Sequence, residues 1–224
     1  MNQILGKLFI EPNTLRNSFK KEKFIFFFCI IVVVACIILY IYLNYNSTQN
    51  KKIAKNLESK FEIRNLYSNT QSAYIAEKVS VNNTSYEPFV IGLMKIDKIN
   101  LVEPILSNIS DELLEISPCR FYGPMPNKIG NMCIAGHNYA NQTHFAKLHL
   151  LKTEDIIQIY DLNGSKIDYY IYDKKEVSSN DTSCLSQDTN SSREITLITC
   201  NSIKGNRTIL KAREVNTKWT KIIK

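Results

Sequence analysis

The sequence predicts a mainly β domain, a barrel or a sandwich, preceded by one N-terminal membrane helix. Seven short apolar or alternating segments lie between turn residues from position 91 onward, few helical periodicities interrupt them, and a single uncharged run stands near the N-terminus. A chain of 224 residues with 44% hydrophobic side chains has room for one ordinary domain plus an appendage. No internal repeat divides it.

The uncharged run is Phe24 to Leu43, FIFFFCIIVVVACIILYIYL. About 20 residues make about 30 Å of helix, the thickness of a bilayer core. A secretory signal has a shorter apolar core, roughly 7–15 residues, ending in a small-residue cleavage site. Here the run passes directly into Asn44-Tyr45-Asn46, so an uncleaved, single-pass anchor is expected. Lys20, Lys21 and Lys23 abut it on the N-terminal side, whereas the first basic residues beyond are Lys51 and Lys52. That bias places residues 1–23 in the cytoplasm as a short tail and the domain outside the cell membrane. Tyr40, Tyr42 and Tyr45 suit the outer interface.

Residues 44–88 are polar, with Ile53, Leu57 and Phe61 at four-residue spacing, and read as a weakly amphipathic stalk. The compact domain spans 89–216, and 217–224 is a basic tail. Strands are expected at Ile91–Ile96 and Leu101–Leu106, the second at an edge or bulge because of Pro104. Ser110 caps a helical turn at Asp111–Glu115. Gly123-Pro124 and Pro126-Asn127 mark a loop before a strand at Met132–Ala135. His144–Leu151 is a short helix with Phe145, Leu148 and Leu151 on one face. Further strands follow at Ile156–Tyr160, Ile167–Val177, Ile195–Thr199 and Thr208–Val215, and 178–193 is a long polar loop.

The formal charge is +7, but beyond residue 43 only 23 basic groups face 19 acidic ones, dispersed along the chain. With neither a basic stripe nor a binding motif, no nucleic-acid partner is expected. Cys29 and Cys36 lie in the membrane run, leaving Cys119, Cys133, Cys184 and Cys200 in the domain. If Cys200 is a free nucleophile, at most one bridge can form among the other three, which otherwise read as inert small residues. No metal is expected from His137, His144 and His149. On a helix, His144 and His149 point about 140° apart, and Cys133 and His137 lie about 13 Å apart along a strand. His144 and His149 read as surface or helix-flank residues.

Chemistry concentrates in three side chains. Cys200 closes the strand Glu194-Ile195-Thr196-Leu197-Ile198-Thr199-Cys200, and Arg207 follows across a short polar loop that makes a hairpin. The two are therefore neighbours, and a cation beside a thiol favours the thiolate and can hold a forming oxyanion. His137 follows Gly136 at the end of an apolar strand and opens the polar loop Asn138-Tyr139-Ala140-Asn141. By itself it could be a solvent-exposed loop histidine, and Cys200 could simply end a strand. Together the three are the parts of a cysteine acyl-transfer site.

The segments Gly130-Asn131-Met132-Cys133-Ile134-Ala135-Gly136-His137 and Thr196-Leu197-Ile198-Thr199-Cys200, followed by Arg207, resemble the signature segments of sortases, membrane-anchored cysteine transpeptidases of Gram-positive bacteria. The likeness runs from about Ile91 to Val215, taking in Ile96-Asp97-Lys98-Ile99, Pro104-Ile105 and Phe145-Ala146-Lys147-Leu148. The histidine precedes the cysteine, the reverse of papain-like proteases. The resemblance implies an eight-stranded β-barrel with short helices. It implies Cys200 as nucleophile, His137 as general acid/base and Arg207 as stabiliser of the substrate carbonyl and oxyanion, with Thr199 helping to place substrate. It further implies secreted substrates bearing a C-terminal Leu-Pro-x-Thr-Gly-like signal, cut between Thr and Gly. The acyl group would pass to an amine such as a peptidoglycan precursor, attaching the substrate to the cell wall, and no cofactor is expected. The short polar 178–193 loop lacks the helix that class B members insert there, and the single N-terminal anchor resembles classes A, D and E rather than B or C. The remaining alternatives are a tethered cysteine protease that only hydrolyses and an inactive surface binding module.

Overall fold

The computed structural model describes residues 12–67, 89–139, 143–200 and 205–215. The expected tail at 217–224, the far part of the expected stalk at 68–88 and residues 1–11 lie outside them. The chain divides into two compact units, residues 1–49 and 50–224. In the first, helix α1 (Pro12–Tyr67) carries the apolar run, whose side chains from Phe24 to Tyr45 are exposed. It is the one helix among the described residues long and apolar enough to cross a membrane.

In the second unit the end of α1 is not free of the domain. Ala54, Leu57 and Phe61 are buried in one cluster with Val90, Leu93, Leu106, Leu113, Ile116 and Cys119. The four-residue spacing read as weakly amphipathic therefore has a partner surface. Covering Leu57 and Phe61 contributes about 1.5–3 kcal/mol each. Asn50 Nδ2 also donates to Glu115 Oε2 at 3.1 Å.

The domain is a closed eight-stranded barrel. Its strands are β1 (Val90–Ile96), β2 (Leu101–Leu106), β3 (Cys119–Tyr122), β4 (Gly130–Ala135), β5 (Ile156–Asp161), β6 (Lys166–Val177), β7 (Arg193–Cys200) and β8 (Arg207–Glu214). Neighbours run β1-β2-β3-β4-β7-β8-β6-β5, and β5 pairs back to β1. Only β2–β3 and β4–β7 are parallel. Helix α2 (Asp111–Ile116) begins where the Ser110 hydroxyl accepts from the Leu113 amide at 3.2 Å. Pro104 faces Leu93 of β1, while β2 meets β3 only at Leu106 opposite Cys119, so the missing amide proton of Pro104 interrupts no ladder on that side.

The alternating strands put Ile91, Met94, Ile105, Met132, Ile134, Ile195, Leu197 and Leu210 into the barrel interior, stoppered by Phe145, Leu148 and Leu151. The last three come from a 3-10 helix at Phe145–Leu150 and its C-cap, where every third side chain falls in line. Strand β7 is buried at six consecutive positions. Its other face packs Ile198 with Cys133, Cys184 and Ile209, so the 178–192 loop is a lid on the outer face of β4 and β7. A continuous apolar run is what a strand covered on both faces requires.

Cys119–Tyr122, where no element was expected, is strand β3, whose Phe121 and Tyr122 are exposed and give no alternating signal. The loop expected at 178–193 is present over 178–192 and is ordered, with a 3-10 turn at Ser183–Leu185 and buried Cys184 and Thr189. Asn131 explains this. Its Nδ2 donates to the carbonyls of Cys184 (2.9 Å) and Ser186 (3.1 Å), its Oδ1 accepts from Thr196 Oγ1 (2.8 Å), and Gln187 bonds both its amide and its carbonyl.

Candidate active site

Barrel topology brings the three candidate side chains to one end. Parallel pairing of β4 with β7 sets Ala135 beside Ile198, and the Gly136 amide donates to the Ile198 carbonyl at 3.1 Å. The ends of both strands therefore leave the barrel together, His137 just beyond β4 and Cys200 as the last residue of β7. Across β7, Cys200 is the register partner of Arg207, the first residue of β8. All three line one cleft of about 170 Å³ with Ala135, Gly136, Ile198 and Thr199. Ile109, Leu114 and Phe121 supply its apolar wall, and none of these was singled out from the sequence. Leu114 had a readable signal, since it neighbours the buried Leu113 on a six-residue helix with a defined cap, but nothing local says that its face meets a cleft.

The stations of the imidazole and thiol are fixed by hydrogen bonds. Thr199, 4% exposed, donates its hydroxyl to the Gly136 carbonyl at 2.8 Å, tying the end of β4 to the end of β7. Asn138 Nδ2 donates to the Cys200 carbonyl at 3.0 Å, joining the residue after His137 to the cysteine itself. The Phe145 amide returns to the His137 carbonyl at 2.9 Å. Gly136 is required by the same return, because a Cβ there would lie 2.7 Å from Phe145 Cδ2.

Of the two expectations for His144, surface or helix-flank, the structure bears out the second: it flanks the 3-10 helix but is buried. It caps the 3-10 helix with φ 51°, is 8% exposed, and points Nδ1 at Glu103 Oε1 (3.2 Å) and Nε2 at the Glu115 carbonyl (3.4 Å). His149 is exposed, its Nδ1 against the Ala146 carbonyl at 2.7 Å.

Burial lowers the His137 pKa below the ordinary 6.5, and the nearby His144 lowers it further, while Glu115 and Asp111 pull it back up. The neutral imidazole, able to accept a proton from a thiol, is thereby favoured. Cys200 is an exposed free thiol at the cleft. The other domain cysteines are buried and free, with no disulfide among the six. Burial pushes Cys119 and Cys133 up to about 12, and raises Cys184 as well. Of the four domain thiols, only Cys200 thus combines access with a neighbouring imidazole and guanidinium. Such a set can deliver a thiolate, move a proton and hold an oxyanion.

A closed β-barrel with a cysteine, a histidine and an arginine lining one cleft is an architecture that can support thiol acyl transfer. Comparison with known families makes this specific: the family model for the sortase domain matches residues 94–215, more than half of the chain. The chain belongs to the sortase family. Solved structures agree in fold. A sortase D5 transpeptidase of Clostridium perfringens is 24% identical, with a TM-score of 0.55 over 75% of this chain and 98% of that one. A lid mutant of sortase A from Corynebacterium diphtheriae is 23% identical, with a TM-score of 0.53 over 73% and 96%. Clostridium perfringens sortase C, solved with a C-terminal cell wall sorting motif, is 18% identical, with a TM-score of 0.53 over 75% and 90%. Comparison with curated proteins finds no match.

Proposed function

We propose that the protein is a membrane-anchored sortase that cleaves a Leu-Pro-x-Thr-Gly-like signal between Thr and Gly and transfers the acyl group to an amine. The observation that carries this reading is the register pairing of Cys200 with Arg207 beside the Asn138 bond that draws the His137 loop to Cys200. Cys200 Sγ, its proton passed to His137, attacks the Thr carbonyl carbon. Arg207 holds the resulting oxyanion. As the tetrahedral adduct collapses, the C–N bond breaks and the imidazolium gives its proton to the departing Gly amine, leaving a thioester on Cys200. An amine then attacks the thioester carbonyl, His137 takes its proton, and the thiolate leaves. Thr199 contributes through position, its hydroxyl being engaged by Gly136.

The anchor at Phe24–Leu43 would keep the N-terminus cytoplasmic and the barrel at the outer face, where exported substrates and a peptidoglycan-precursor amine meet it. Assignment to the A, D or E classes is supported by the 178–192 loop, whose helical content is one 3-10 turn at Ser183–Leu185. The test is turnover of a Leu-Pro-x-Thr-Gly peptide library by the full chain in detergent micelles, with and without an added amine. A ligated product that disappears in Cys200→Ala is expected. A product that is only the free acid, whatever amine is supplied, would make the protein a hydrolase instead.

A further inference from the structure

The catalytic reading uses His137 but leaves unexplained why a second histidine is buried beside it. Three rings stand in sequence behind the cleft: His137 to Tyr139 at 4.8 Å between centroids and Tyr139 to His144 at 5.7 Å. His144 ends the chain against the barrel. Its two nitrogens face Glu103 on β2 and the Glu115 carbonyl near the end of α2, and Ser117 Oγ lies 3.4 Å from the other Glu103 oxygen. The backbone repeats the link, since Asn138 and His144 form an antiparallel bridge immediately after His137. His144 holds its position at φ 51° and ψ −122°, a conformation that costs a non-glycine residue about 1–3 kcal/mol and persists only where contacts enforce it.

We propose that His144 is a positioning residue: braced by Glu103 and the Glu115 carbonyl, it sets the orientation of the His137 ring through Tyr139 and the Asn138 bridge. This rests on the acyl-transfer reading only for its effect on rate. Both nitrogens of His144 face acceptors, and the cationic ring donates to both, whereas the neutral ring donates to one. The ring is thus anchored by geometry, one nitrogen on Glu103 and the other on the Glu115 carbonyl. His137 also faces Asp111 and Glu115 of α2, Tyr139 of its own loop, and Cys200 and Arg207 across the cleft. Removing His144 removes a like charge from this set while leaving the others in place.

The experiment uses the full chain in micelles and two readouts. The three histidines give three imidazole Cε1–H signals, assigned with His144→Gln and His149→Gln, and the His137 signal is titrated in each protein. In His144→Gln the His137 midpoint moves upward; in His149→Gln it stays. In peptide turnover, His144→Ala lowers kcat about 10- to 100-fold, the cost of misplacing a reacting group by about 1 Å, with KM within about twofold. His144→Gln, which keeps a donor for Glu103, recovers kcat to within about fivefold of the parent, although both variants lose similar thermal stability. An unmoved His137 midpoint in His144→Gln overturns the proposal, and so does a His144→Ala kcat within twofold of the parent. Failure of every Leu-Pro-x-Thr-Gly peptide with the parent protein would remove the substrate reading alone, and the His137 titration would still decide the role of His144.

Discussion

Replacing Gly136 by Ala should damage both stability and catalysis through one contact. The added Cβ would lie 2.7, 2.9 and 3.0 Å from Cδ2, Cγ and Cε2 of Phe145, so it meets the face of the ring rather than a flexible tip. Phe145 has no room to retreat, being 0% exposed in the cluster with Leu148, Leu151 and Ile134. Overpacking of this kind costs about 1–3 kcal/mol. For a protein of this size about 2 kcal/mol lowers Tm by roughly 4–8 °C. Because the Phe145 amide bonds the His137 carbonyl, the strain also moves the loop carrying the imidazole, and kcat should fall about 100-fold for a displacement near 1 Å. Thermal unfolding and peptide turnover of Gly136→Ala, Phe145→Leu and the double variant form a cycle. The double variant should lose about 1 kcal/mol less than the two singles added, since the smaller side chain makes room for the methyl group. Additive losses, or a Gly136→Ala variant within 0.5 °C of the parent, would refute the contact-based reasoning.

Thr199→Val removes the donor to the Gly136 carbonyl and should shift the urea midpoint by an amount equal to about 1–3 kcal/mol, while Thr199→Ser retains most of the stability. Glu115→Gln removes a carboxylate that holds the His137 pKa up, so the His137 midpoint followed by NMR should fall still further below 6.5. Because folding depresses this group, its contribution to stability is intact above about 6.5 and is lost as pH falls from there through the folded value, and Glu115→Gln should widen that acidic window. Iodoacetamide at pH 8 should modify Cys200 in the folded protein. Cys119 and Cys133, with pKa values near 12, present a thiolate fraction of about one in ten thousand and should react only after unfolding, as peptide mapping by mass spectrometry would show.

Much of the fold was legible because most strands alternate or run continuously apolar. The Cys200 to Arg207 hairpin could be read directly, as a short loop leaves the two ends of an antiparallel pair side by side. The approach of His137 was beyond local pattern. It depends on β4 lying parallel to β7 although nearly sixty residues separate them, a pairing that only barrel closure enforces. Strand β3 was hidden because its pairing to β4 is interrupted between Arg120 and Tyr122 and its aromatic residues face outward. The burial of His144 was hidden for a related reason: its helix-flank position was legible, whereas the partner that satisfies it when buried, Glu103, lies forty-one residues earlier. The loop read at 178–193 shows its polar composition but not its order, which comes from Asn131 bonding the Cys184 and Ser186 carbonyls and from Gln187 reaching back to the Asn131 backbone. Likewise the spacing of Ile53, Leu57 and Phe61 announced an apolar face without naming the surface it covers.

The most direct test of the acyl-transfer account is intact mass spectrometry of the full chain in micelles after mixing with a Leu-Pro-x-Thr-Gly peptide and no amine. The expected result is an added mass equal to the peptide acyl group up to Thr, mapped to Cys200, released on addition of an amine and missing from Cys200→Ala. Turnover of the peptide at the parent rate by Cys200→Ala, or an adduct on any other residue, would contradict it.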